Sequence, residues 1–133
     1  ALKGNFKETD YILNDVITGK IGNLGTNSIV SNFGKMSSFK GKPSKESIAA
    51  GLVSLVSQSI TRTIINACIQ SKAKNIIFTG RTTSLNSLKI SIIKNLKNYD
   101  LKLHFPRNRK FATALGALLN TKKVEKKKII TNY

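Results

Sequence analysis

Acidic residues are scarce. The 133-residue chain has 6 Asp+Glu against 23 Lys+Arg, a formal charge of +17 at pH 7. So few carboxylates leave little material for a two-carboxylate active site. The imbalance draws the chain to polyanions such as nucleic acid or an anionic surface. The single cysteine, Cys68, excludes an intramolecular disulfide framework and a cysteine-based zinc site. His104 is the only histidine, so a histidine-rich metal site is excluded as well. No unbroken run reaches the ~18 apolar residues of a membrane span. Ala1-Leu2-Lys3-Gly4 holds no apolar signal core. Aromatics are few, with no Trp, 3 Tyr and 6 Phe. Phosphate contacts to folded RNA or duplex are therefore expected over stacking on single strands.

What is present suffices for a fold. Hydrophobic residues make up 40% of the chain, enough for the core of one domain. Residues 1–43 are rich in glycine and turns, with a short helix predicted over 9–18, capped by Thr9 or Asp10. The clearest element is a helix over 44–71. Ser44 is its N-cap and Glu46 lies in its first turn. Ile48, Leu52, Leu55, Val56, Ile60, Ile64, Ala67 and Cys68 recur at helical spacing. Val53, Ile65 and Ile69 widen that stripe, which predicts burial on two sides. Asn75 to Thr79 reads as a buried strand ended by Gly80. A helix over 85–98 follows, with Leu85, Leu88, Ile92 and Leu96 inward. Leu101, Leu103 and Phe105 alternate with Lys102 and His104, a strand with one buried face. A last helix at about 109–120 carries Phe111, Ala114, Leu115, Leu118 and Leu119. This alternation predicts an α/β layer with parallel strands. The tail at 121–133 repels itself and is expected to order only on a polyanion.

Three segments invite a chemical reading: Val30 to Met36, Ile76 to Asn86, and Phe111 to Leu119. The second is a strand–glycine–helix turn, where backbone approaches a ligand closely and free N–H groups favour an anion. Ser31 and Asn32 either position a ligand or cap a turn. Cys68 reads as a packed thiol and His104 as a surface residue.

In order and spacing, these segments resemble the C-terminal half of type II, eukaryotic-like pantothenate kinases. Asp15-Val16-Ile17-Thr18-Gly19 is similar to the family's D-I-Y-G segment, and Ser31-Asn32-Phe33-Gly34 to its S-N-F-G. Ser44-Lys45-Glu46 opens the long helix. Ile77-Phe78-Thr79-Gly80 with Asn86 is similar to the strand and turn, and Ala114-Leu115-Gly116-Ala117-Leu118 to the close. The resemblance covers roughly residues 4–119. It implies the second lobe of an actin-like fold, that of acetate and sugar kinases, heat-shock chaperones and actin. The implied domains are a lobe over 1–120 and a basic tail over 121–133.

The implied activity is ATP-dependent phosphorylation of pantothenate, the first step toward coenzyme A. Ligand contacts are implied at Ser31, Asn32, Gly34, Gly80 and Asn86. ATP and Mg2+ are expected only if the lobe with the phosphate loop and catalytic carboxylate is supplied, so no catalytic residue and no metal site are assigned here. The resemblance also implies pairing with another subunit through the helix at 45–71, and an intracellular, cytoplasmic or mitochondrial setting. Arg107-Asn108-Arg109-Lys110 stands where the family often has an acid, and Thr113 where it has a glycine.

The rival reading is a non-catalytic, kinase-derived domain bound to RNA in a ribonucleoprotein. From Lys72 to Lys110 there are ten Lys and Arg and one acid, Asp100. A solvated face would mix signs. RNA contacts are expected at Arg107, Arg109, Lys110, Lys122, Lys123, Lys126, Lys127 and Lys128. Membrane contact is not expected, because the tail lacks apolar anchors.

Overall fold

The computed structural model describes residues 1–19, 21–22, 24–38 and 42–131, with side chains in the last helix as far as Thr121. In chain order the elements are β1 (Tyr11–Ile12), α1 (Leu13–Val16), β2 (Ile29–Ser31), α2 (Lys45–Ser71), β3 (Asn75–Ile77), α3 (Asn86–Leu96), β4 (Lys102–His104) and α4 (Ala112–Thr131). Short 3-10 turns lie at Phe6–Glu8, Gly34–Ser37, Arg81–Ser84 and Arg109–Phe111. The architecture is mixed α/β, with one long helix and two small sheets. The sheets are antiparallel β1–β2 and parallel β3–β4, the latter pairing Ile76 with Leu103.

α2 starts where the sequence places it. Ser44 accepts a hydrogen bond from the Ser47 N–H at 3.1 Å, and Glu46 complements the positive end of the helix dipole. The expected buried face is corrected. The buried residues are Ser47, Ala50, Gly51, Ser54, Ser57 and Thr61. Leu52, Leu55, Val56 and Ile69 are exposed instead. Both sets recur at helical spacing, so periodicity alone does not choose between them. The small set wins because it lets neighbouring elements approach closely.

Against α3 that approach is polar. Ser57 Oγ donates to the Ser54 carbonyl at 2.9 Å, which commits its only proton. Ser91 Oγ, 2.7 Å away, must then be the donor to Ser57, and Asn95 Nδ2 donates to the same oxygen at 3.3 Å. Below this contact sits the apolar core. Phe78, Leu88, Ile92 and Leu96 are buried, with Ile60, Ile64, Ile76, Leu101 and Leu103 packed on them. Phe78 and Phe105 stack with centroids 4.5 Å apart. The β3–α3–β4 unit thus follows the expected α/β reading with two exceptions: Leu85 is 55% exposed because it precedes the helix, and β3 is not the buried strand expected, Ile77 being 65% exposed.

Three further expectations change. The helix over 9–18 is replaced by β1 and the single turn of α1, because Tyr11 and Ile12 pair with β2. The tail backbone continues α4 to Thr131. Along α4 and its lead-in, Phe111, Leu118 and Leu119 are more than half exposed rather than packed. α2 is also long and apolar enough to cross a membrane by length and composition, with mean hydropathy 1.4 over 18 residues. One of its sides is occupied by α3 and by the turn at Phe6–Glu8.

The inverted face makes a prediction. Ser57→Leu, apolar but oversized, should destabilise the protein by about 2 kcal/mol through overpacking and the stranded Asn95 amide. Ile92→Ala should cost about 3 kcal/mol. Thermal unfolding checks both. A Ser57→Leu variant as stable as wild type would contradict the buried polar face.

Candidate functional site

The most constrained polar group is Asp10. It is fully buried, as is its neighbour Thr9. Asp10 Oδ1 accepts from the Phe33 N–H at 2.9 Å and lies 2.9 Å from Thr9 Oγ1. Asp10 Oδ2 accepts from Asn32 Nδ2 at 3.2 Å. The Ser31-Asn32-Phe33-Gly34 segment is therefore a turn folded around one carboxylate. Phe33 adopts the left-handed region, φ 56°, although it has a side chain. Such a conformation costs about 1 kcal/mol or more, and the N–H donated to Asp10 offsets it.

This turn is clamped onto α2. A Cβ on Gly51 would lie 2.5 Å from Thr9 Oγ1 and 3.1 Å from the Phe33 ring. A Cβ on Gly34 would meet the Tyr11 ring at 2.6 Å and Ser31 Oγ at 2.7 Å. Glycine is needed at both places for close approach.

Asp15, the acid of the D-I-Y-G-like segment, lies at the surface. Its Oδ2 accepts from the Ile12 N–H at 2.9 Å and pairs with Lys35 Nζ at 2.7 Å. These contacts, Lys35 first, hold its carboxyl below the ordinary 3.8. Lys35 also donates to the Lys7 carbonyl at 2.9 Å, so Asp15 fastens β1 to the segment after the turn. Asp100 is likewise lowered, by its hydrogen bond to Lys74.

The expected ligand residues fall into two separate corners. Ser31, Asn32 and Gly34 belong to the Asp10 turn, with Asn32 engaged by the carboxylate and Ser31 exposed. Gly80 and Asn86 flank the turn after β3. Gly80 has φ 95°, but its N–H donates to the Arg109 carbonyl at 2.8 Å and so is not free for an anion. Asn86 is exposed at the first position of α3, whose N-cap lacks a side-chain hydrogen bond.

Of the basic residues, Arg107 and Lys110 are exposed. Arg109 is half-buried, with Nε 3.3 Å from the Thr83 carbonyl and Nη1 3.3 Å from that of Pro106. Asn23, Gly41 and the side chains of Lys122, Lys123, Lys126, Lys127 and Lys128 lie outside the described residues. Cys68 is half-buried and lines a shallow groove of about 290 Å³ with Ile65, Tyr99 and Leu101, toward the other end of α2. His104 is exposed and its Nε2 lies 3.2 Å from Asn75 Oδ1. Sequence reasoning missed Asp10 as a hub, weighing it only as a helix cap. No local signal marks it, because its partners Asn32 and Phe33 lie more than twenty positions away.

A mixed α/β domain whose S-N-F-G turn closes on a buried carboxylate beside a long helix is the arrangement in hand. The family model described as Fumble matches it over residues 1–120. The chain belongs to that family, the pantothenate kinase family. The match corrects the placement of the chain as a C-terminal half: residues 1–120 align with the family domain, and nothing in the match marks them as one half of it. No curated protein matches the chain.

Two outcomes follow. Asp10→Ala strands the Phe33 N–H and the Asn32 amide, while the Thr9 hydroxyl keeps the Phe6 carbonyl, and should cost about 3 kcal/mol, whereas Ser31→Ala should change stability by less than about 0.5 kcal/mol. Because the folded-state value of Asp15 is depressed, its contribution is present above pH 3.8 and is lost as pH falls through that lower value. Melting curves across an acid series should therefore show a smaller acid loss for Asp15→Asn than for wild type.

Proposed function

We propose that this pantothenate kinase family member does not phosphorylate pantothenate as an isolated chain and serves as a non-catalytic, partner-dependent domain. The state of its carboxylates carries the reading. Phosphoryl transfer needs oxygen ligands for Mg2+ and a group that orients the nucleophile. Asp10 is buried and its oxygens already accept protein donors. Asp15 and Asp100 are held in ion pairs. With all three aspartates engaged in this way, they do not offer the free oxygen ligands of an ATP–Mg2+ site, and no step is derived through one. The parallel β3–α3–β4 unit, joined to family membership, supports an actin-like arrangement of the domain. A radiolabelled-ATP assay of the purified chain should give background turnover, and turnover above background would overturn the reading.

The partner surface is the exposed side of α2. Leu52, Leu55 and Val56 are 51%, 38% and 42% exposed on one helix, which supports pairing with another subunit there. Replacing Leu55 and Val56 with Glu should turn an associating species into a monomer in sedimentation. A wild-type chain that stays monomeric at high concentration would refute this.

A second reading, RNA binding, is favoured by the segregation of charge. The only acid between Lys72 and Lys110 is Asp100, and Lys74 neutralises it. Nine further cations in that stretch face no acid of their own segment. An RNA complex that weakens steeply with added salt is the expected behaviour.

A further inference from the structure

We infer that the corner where the turn at Arg81–Ser84 packs on the turn at Arg109–Phe111 holds an unpaired nucleic-acid strand, with phosphates on Arg81, Arg107 and Lys110 and a base stacked on Phe111. The inference rests on the RNA-binding reading and gives it a place and a strand type. It runs against the expectation from composition, where scarce aromatics disfavour stacking. Composition counts rings but does not locate them.

The location is what matters. Phe111 is 66% exposed, although it stands between the β4 strand and α4 of a domain with a small core. Lys110 is its chain neighbour, Arg107 lies four residues before it, and Arg81 sits on the turn packed against its own; all three are exposed, and none has an ion-pair partner among the described residues. Phe105 shows the contrast. It is half-buried, stacked on Phe78, and covered by Lys89 Nζ at 4.9 Å from the ring centroid. Phe111 has no ring or cation over it among the described residues.

The corner is also held in shape without a ligand. Gly80 donates its N–H to the Arg109 carbonyl at 2.8 Å, and Phe111 donates its own to the Asn108 carbonyl at 3.0 Å. The Arg109 guanidinium ties Thr83 to Pro106. Arg109 is thus a positioning residue, and its neighbours keep their charges free. A π-face flanked by uncompensated cations is the recurring chemistry of single-strand binding, because every base has a face to stack and every link carries a phosphate.

A strand fits better than a lone nucleotide. The corner's cations come from two packed turns, Arg81 on one and Arg107 and Lys110 at the other, so they offer more than one phosphate position, as a strand requires. RNA and single-stranded DNA share the chemistry used here, so the test carries both.

The experiment measures fluorescence anisotropy of the full chain with labelled oligouridylate, the matching DNA strand and a duplex RNA, over a salt series. Single strands should bind more tightly than duplex at matched salt, and the tighter of the two names the source. Phe111→Leu should weaken single-strand binding roughly tenfold with the salt slope unchanged, and Phe111→Trp should restore it. Arg107→Ala with Lys110→Ala should flatten the slope by about 1.4, two phosphates' worth for a single strand. Lys94→Ala with Lys97→Ala, the same charge removed from α3, should leave the preference for single strands in place. Unfolding curves of each variant confirm that the fold is kept. RNA binding that Phe111→Leu and Phe111→Trp leave unchanged would overturn the corner while sparing the RNA reading. No binding of any strand at low salt would overturn both.

Discussion

The rest of the structure depends on one constraint, the small size of the residues on the buried side of α2. Close approach to a helix is possible only where side chains are short, and α2 offers Ser47, Ala50, Gly51, Ser54, Ser57 and Thr61 in one stripe. Thr9 and Phe33 close over Gly51 at one end. Ser91 and Asn95 of α3 close over Ser57 further along. The helix is therefore a spine with two different clients. It positions the Asp10 turn and the β3–α3–β4 unit with the same face.

A consequence of spending small residues inward is that large ones face outward. In a chain with this much apolar sequence, the leucines and valines of α2 had nowhere else to go once the polar stripe took the interior. Burial of such a stripe is tolerated because each hydroxyl has a partner: no buried side-chain nitrogen or oxygen among the described residues lacks one. The same outward display that would be a liability in a solitary domain is what an assembling domain requires. The packed interior and the apolar outward display are thus two results of one choice of helix face.

This also explains what the sequence could reveal. The start of α2 was legible because Ser44 and Glu46 act locally, within one turn. The strands at 75–77 and 102–104 were legible because alternation and an apolar run are local as well. The buried face of α2 was not, since two residue sets share its period and only tertiary contact selects between them. Asp10 was hidden for a related reason. Its partners, Asn32 and Phe33, lie more than twenty positions away, and no local pattern announces a turn that wraps a distant carboxylate. The S-N-F-G segment itself was legible as a motif, yet its observed work is to hold Asp10.

The aspartates follow the same priority of structure. In this chain Asp10 and Asp15 are employed in holding the backbone. Asp10 secures a left-handed Phe33, and Asp15 caps α1 while binding Lys35. Converting either to a metal ligand would release the structure it now maintains. The cations are under no such demand. Beyond Lys35 with Asp15 and Lys74 with Asp100, none of the described lysines or arginines is in an ion pair. The three aspartates are engaged by partners in the fold while most of the described bases are not, and the positive charge of the surface is what that imbalance leaves exposed.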